Sequence, residues 1–321
     1  MYAHQVLEEM QTWDFKDQDL YAQAAHNVEQ NIKKAVHFYL GDYWELEKPF
    51  EGLFKKHRLF FDGAEYLRLP YKHCWIAFDQ AVRVKAPPDS INISKAGSLV
   101  SELEKDLLYI QPFMFCTTPP DIGWFMSSVG AYVAVGKPFR EIPSFEEHVY
   151  ERQPWLMEAL KRMGHALRES CLETNILPAP LAVAAARMGP VNMLEEIRNE
   201  ITAIAYFLML LNCKNVSAEK ILPPQKLNKK RKQKGKPEVF SYYVLNVEVP
   251  GQHSNEAASK GGLPGHHVRV HLCRGHFKLY TTEAPLFGKY TGLYWWQPHV
   301  RGQNKNGIVM KDYEIKPQGV A

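Results

Sequence analysis

The chain has 321 residues, 45% of them hydrophobic and 12% aromatic, with a formal net charge of +4. Such a composition can bury a full core, which excludes a disordered chain, and the length predicts two domains. The small net charge conceals a split: residues 216–321 hold 17 Lys/Arg against 7 Asp/Glu, leaving 22 against 28 in residues 1–215. A strongly basic part of that kind points to a polyanion.

The first element expected is a helix. Tyr21, Ala24, Ala25, Val28, Ile32, Ala35, Val36 and Tyr39 recur at i, i+3, i+4, i+7 spacing with polar residues between them. This predicts an amphipathic helix of about five turns that ends near Gly41. The texture then changes. "HCWIAFDQAVRV", "DLLYIQPFMFC" and "GWFMSSVGAYVAVG" are short aromatic and β-branched runs bounded by Pro, Gly and Asp, and they read as strands. At Ser144 the run "SFEE" offers a capping box, with Glu147 at its fourth position. Pro154 suits the first turn of a further helix reaching about Cys171. After Pro190, Leu194, Ile197, Ile201, Ile204, Ala205, Leu208 and Leu211 line one side of a helix that is apolar all round in its second half. Its greasiest part, Ile201 to Cys213, spans 13 residues. A bilayer needs about 20, so a buried helix is expected and no membrane association.

"PPQKLNKKRKQKGKPE" (Pro223 to Glu238) has seven Lys/Arg and a single aliphatic side chain, Leu227. It lacks the apolar surface to fold alone and predicts a linker or a loop ordered by a partner. "VFSYYVLNVEV" is a strong strand signal, "GQHSNEAASKGGLPG" a flexible connection, and "GLYWWQPHVRG" and "GIVMKDYEI" further strands. The fold expected is α+β: a mixed helix and sheet domain over 1–215, a basic linker over 216–238, and a small β-rich basic module over 239–321.

Five scattered cysteines without a C-x-x-C pair fit a reducing compartment, and "MYAHQVLEEM" lacks the features of a signal peptide. A cytoplasmic location is expected.

The chemistry gathers in "HHVRVHLCRGHFKLY". On a strand, His267, Arg269 and His271 alternate with Val268, Val270 and Leu272; after Arg274–Gly275, His276, Lys278 and Tyr280 become the polar set. An odd-to-even switch across a glycine predicts a β-bulge at Gly275, which would gather His267, Arg269, His271, His276 and Lys278 on one face. A tight hairpin at Arg274–Gly275 is the competing geometry. His299 and Arg301 share a strand face, and pairing beside the first strand would add them to the same surface. Trp295 and Trp296 would then point to opposite sides, one to the core and one free to stack on a base.

Three readings follow. In the first, Arg269, Arg274, Lys278 and Arg301 bind phosphates together with the histidines, and Lys229, Lys230, Arg231 and Lys232 add contacts without sequence choice. In the second, a metal-independent nuclease uses His271 or His276 with His299 as general base and acid. In the third, His271, Cys273, His276 and His299 bind zinc, but no second cysteine or H-x-x-x-H spacing supports it, so no metal or cofactor is assigned. The plain structural alternative pairs Arg269 or Arg301 with Glu248 or Asp312. Asp79 and the group Glu102, Glu104, Asp106 read as solvated acids, and His165 and Cys171 as helix packing.

The stretch Leu227, Asn228, Arg231, Gly235, Lys236, followed by His271, Arg274, Gly275, His276 and then Trp295 or Trp296, His299, Arg301, Gly302, resembles the C-terminal part of uncharacterised proteins encoded by tailed phages, prophages and related mobile elements. Cys273 and Lys278 stand where that family often has arginine, and Glu238 where it often has proline. The resemblance spans about a third of the chain and implies expression inside a bacterial host, without assigning an activity. The function expected is therefore a phage- or mobile-element-encoded nucleic-acid-binding protein of the host cytoplasm, for which DNA and RNA both fit. The alternatives are the histidine nuclease and an inhibitor of a host protein.

Overall fold

A computed structural model describes residues 1–14, 19–42, 67–80, 93–116, 123–153, 176–181, 190–247, 271–273, 276–296 and 299–301. The chain order begins with helices α1 (Ala3–Met10) and α2 (Asp19–Lys34) and strands β1 (Val36–Asp42), β2 (His73–Asp79), β3 (Ile93–Glu104), β4 (Leu107–Cys116), β5 (Gly123–Met126) and β6 (Val129–Ala134). A short 3₁₀ turn precedes α3 (Phe145–Arg152), which is followed by β7 (Ile176–Pro180), α4 (Pro190–Leu211), β8 (Val216–Ile221), α5 (Gln225–Gln233) and β9 (Tyr242–Val247). Four short strands close the list: β10 (His271–Cys273), β11 (His276–Tyr280), β12 (Gly292–Trp296) and β13 (His299–Arg301). The class is α+β, as expected.

Nine strands form one mixed sheet in the order β7-β6-β4-β3-β2-β1-β9-β8, with β5 also pairing β4. Antiparallel pairing runs from β2 to β7, whereas β1 is parallel to both β2 and β9. Alternation decides which helix covers which side. Trp75, Ala77, Leu99 and Phe113 pack with Val6 and Leu7 of α1 and Val28 and Ile32 of α2. Further along, Tyr109 and Tyr132 pack with Phe145 and Val149 of α3. Phe78 and Ala96 take the opposite parity and meet Ala203 of α4. One sheet is thus covered on both sides, which explains why β2, β4 and β6 are apolar at nearly every position.

Several elements depart from the sequence reading. The first helix stops at Lys34, and Val36 and Tyr39 belong to β1. The 3.6-residue pattern runs on by coincidence into "VHFYL", whose β-branched and aromatic side chains suit a strand bonded on both edges. β3 carries Ser, Lys, Ala and Gly and gives little strand signal, yet it is central and Ala96 to Ser101 are buried. Its Gly97 makes room for the fully buried Trp75, whose indole lies against the space a side chain would fill. The helix begins after Ser144 as expected, but the Ser144 side chain makes no cap bond, so the capping box is not formed. α4 follows the prediction, with every residue from Ile201 to Leu210 buried. The helix expected from Pro154 to about Cys171, the connection after Pro250 and the strand "GIVMKDYEI" lie outside the described residues.

The chain divides into two units. One comprises Met1–Asn212 with Val216–Asn246, and the other Cys213–Asn215 with Val247–Ala321. The basic stretch read as a linker at 216–238 therefore holds β8 and α5 of the first unit, and β9 belongs there almost entirely. In the second unit, Asn215 acts as a short strand edge: Nδ2 donates to Trp295 O at 2.8 Å and Oδ1 accepts from Trp295 N at 3.0 Å. Trp295 is buried against Phe277, 4.6 Å between ring centres. Among the described residues no helix is long and apolar enough to cross a membrane.

Candidate nucleic-acid interface

α5 has no buried residue, so apolar burial does not hold it. Hydrogen bonds and ion pairs do. Asn228 brackets the returning chain, donating from Nδ2 to Val239 O at 2.9 Å and accepting from Val239 N at 2.8 Å. Arg231 donates from Nε to Pro237 O at 2.7 Å and from its guanidinium to Glu8 Oε2 at 2.8 Å. Lys236 reaches the other Glu8 oxygen. The bonds from Lys236 and then Arg231 hold the Glu8 carboxyl below its usual range. At the C-terminus Gly235 has φ +65°, Gly235 N donates to Lys232 O and Lys236 N to Arg231 O. These are the paired bonds of a Schellman cap, which favours glycine because its left-handed backbone has no Cβ to clash.

Asn228 and Arg231 lie three residues apart on the docked side. Lys226, Lys229 and Lys230 fall on the opposite side, with Lys232 and Lys234 flanking, and all five are exposed. Among the described residues none of the five forms an ion pair. Lys226–Lys230 and Lys230–Lys234 are i, i+4 like-charge pairs, each costing about 0.2–0.5 kcal/mol in an isolated helix. The repulsion is relieved when an anion binds.

The predicted phosphate ligands thus separate. Lys229, Lys230 and Lys232 have no ion-pair partner among the described residues, whereas Arg231 is a clamp that fastens α5 to α1. Asn228, Arg231, Gly235 and Lys236 build the dock and the cap, and exposed lysines fill the positions between them. Gly235 after a basic stretch was the available signal for a helix end. The partner, Glu8, is distant in sequence and gave none.

In the second unit β10 pairs β13 antiparallel, with His271 opposite Arg301 and Cys273 opposite His299. β11 pairs β12, with His276 opposite Trp296 and Lys278 opposite Tyr294. β10 and β11 thus pair with different strands and not with each other. Arg274 and Gly275, where a bulge or a tight hairpin was expected, lie outside the described residues. Directly opposed residues share a face. His271, Cys273, His299 and Arg301 therefore stand together in one ladder, and His276, Lys278 and Tyr280 stand with Trp296 and Tyr294 in the other.

By register His271 and His299 share a strand face with Arg301, and His276 lies opposite Trp296. Lys278 is exposed, with Nζ 4.7 Å from the centre of the Tyr280 ring. Trp295 is the core tryptophan and Trp296 is partly exposed. Arg269 and Arg274 lie outside the described residues.

Two of the acids read as solvated in the sequence, Asp79 and Asp106, are engaged. Asp79 accepts hydrogen bonds from the hydroxyls of Tyr2 and Tyr39, and burial first, then this carboxylate, pushes both phenols upward. Asp106 occupies the β3–β4 turn at φ +69° and pairs with Arg68 at 2.9 Å and Lys137 at 3.1 Å. Comparison with known proteins finds no matching family model, no matching curated protein and no matching solved structure.

Proposed function

We propose that the chain is a nucleic-acid-binding protein that engages phosphates through the exposed lysines of α5, with Lys278 and the His271, His299, Arg301 ladder of the second unit as further contacts. The observation that supports it is the cluster Lys226, Lys229, Lys230, Lys232 and Lys234, displayed on a helix anchored from its other side and lacking acidic partners among the described residues. A pinned helix presents its charges at fixed spacing and spends little entropy on binding, unlike the same charges on a mobile tail. The resemblance to phage and mobile-element proteins agrees with a partner inside a bacterial cell, nucleic acid first and a host protein as the alternative.

The test is fluorescence anisotropy with labelled single- and double-stranded DNA and RNA over a salt series. Wild type is expected to lose affinity steeply as salt rises, and K226E/K229E/K230E to lower the log–log slope by about three, one per phosphate contact. An unchanged slope in that variant, or no binding at low salt, overturns the reading. Oligonucleotide length after each titration tests the histidine nuclease: shortening that disappears in His299→Ala would establish it.

A further inference from the structure

A polar cleft of about 750 Å³ opens in the first unit between α2 and the end of α3, over the sheet. Its position follows from the packing. On this side of the sheet, one apolar cluster lies beneath α1 and α2 and a second beneath α3. Between them the strands present His73, Ser101 and Gln111 instead, adjacent through the pairings His73 with Ser101 and Leu99 with Gln111. His73 Nδ1 lies 2.9 Å from Ser101 Oγ. Three strands place polar side chains at one point of this face, with Ser101 and Gln111 buried.

The wall from α2 is equally unusual. Gln23, Asn27, Gln30 and Asn31 follow helical spacing along the cleft, opposite in kind to the buried Ala25, Val28 and Ile32 of the same helix. Among the described residues none of the four carboxamides makes a side-chain hydrogen bond. At the far wall Gln153 is only 1% exposed. Its Oε1 accepts from Tyr132 Oη at 2.9 Å, while its Nε2 has no partner although it is buried. A buried amide donor left unpaired costs about 1–3 kcal/mol, and here it belongs to a residue that lines the cleft.

The charges lining the cleft are Lys34, Lys72 and Arg152 against Glu102 and Glu151, an excess of one cation. Lys72 and Lys34 are close enough to act on His73. Burial first, then these two ammonium groups, lower its tendency to protonate.

We propose that this cleft binds a phosphate-bearing ligand of mononucleotide size, the phosphate held by Lys34 and Lys72 and the remainder read by the carboxamides of α2. The size fits, since sites for small organic ligands measure about 300–1,000 Å³. The functional groups fit as well: a carboxamide carries a donor and an acceptor side by side, matching the edge of a nucleobase, and ammonium groups bind phosphate as point charges. The site is independent of the lysines of α5 and does not rely on their role.

Isothermal titration of the full chain with AMP, GMP, CMP, UMP and inorganic phosphate tests it, with a 5′-phosphorylated and an unphosphorylated trinucleotide as a second arm. At least one nucleotide is expected to bind with Kd below about 1 mM, corresponding to about −4 kcal/mol. K34A/K72A, two surface changes, is expected to weaken it by about tenfold or more, as loss of charge-assisted bonds requires. Tighter binding of free nucleotide than of the phosphorylated trinucleotide identifies a metabolite site, and the reverse a site for a chain end. Absence of binding by every nucleotide and trinucleotide, binding of inorganic phosphate as tight as that of any nucleotide, or unchanged affinity in K34A/K72A overturns the proposal. K226E/K229E/K230E is expected to bind the nucleotide as wild type does, which separates this site from α5.

Discussion

Glutamine in place of Glu200 isolates the effect of one buried carboxyl. Glu200 lies on α4 with 3% of its surface exposed and accepts a hydrogen bond from Gln80 Nε2 at 3.0 Å. Burial pushes its pKa from an ordinary 4.5 up to about 7, outweighing the hydrogen bonds that favour the anion. Between those two values the folded chain keeps a proton that the unfolded chain has released, so stability falls as pH rises through this window. At about 1.4 kcal/mol per unit, the carboxylate destabilises the fold above pH 7 by about 3 kcal/mol relative to its protonated form. Glu200→Gln removes the charge and keeps an oxygen to accept from Gln80. The variant should match wild type near pH 4.5 and exceed it by about 3 kcal/mol at pH 8. The assay is urea unfolding from pH 4.5 to 8, followed by circular dichroism, which reads mainly helices that lie in the first unit among the described residues. A stability difference that stays constant across the pH range would refute the reasoning, because a lost or gained contact shifts every pH alike and only a titrating group produces a slope.

Three further perturbations probe other parts of the first unit. His37 is 4% exposed and stacks on Phe240 at 4.3 Å, and burial depresses its pKa to about 3. The unfolded chain takes up this proton below about 6.5 and the folded chain does not, so about 5 kcal/mol present at neutral pH is lost as pH falls to 3. His37→Phe should therefore lower the pH midpoint of acid unfolding, and an unmoved midpoint contradicts it. Arg231→Met should cost about 1–2 kcal/mol and speed hydrogen exchange of α5 amides, whereas Lys230→Met should change stability by less than about 0.5 kcal/mol. Equal effects of the two would refute the division between clamp and free cation. A methyl at Gly97 would overlap the buried Trp75 ring. Gly97→Ala should thus cost about 1–3 kcal/mol in chemical denaturation, and a neutral result would show that the indole has room to move.

Much of the sheet is written locally. β2, β4, β5, β6 and β9 are dense in aromatic and β-branched side chains, and α4 announces itself by periodicity and by an apolar second half that must be buried. These features hold over short stretches and need no partner to be read. Ser144 and "SFEE" give the right helix start and the wrong cap chemistry, because a capping bond depends on a backbone geometry that the sequence only permits.

What tertiary structure decided concerns residues whose state depends on a distant partner. β3 has weak strand propensity and exists because β2 and β4 bond to both its edges. β1 continues a helical pattern until the sheet claims it. α5 buries no side chain and is held by Glu8, more than two hundred residues away, which converts Arg231 from an expected phosphate ligand into an anchor and leaves its lysine neighbours free. In the second unit the register of two ladders decides that His271 shares a face with His299 and that His276 lies opposite Trp296. A sequence lists charges and periods, and by itself it determined this chain's class, its central elements and its basic C-terminal part. Which charges are spent inside the molecule and which remain for a partner is set by contacts between distant segments, since each such contact depends on where the rest of the chain has already folded.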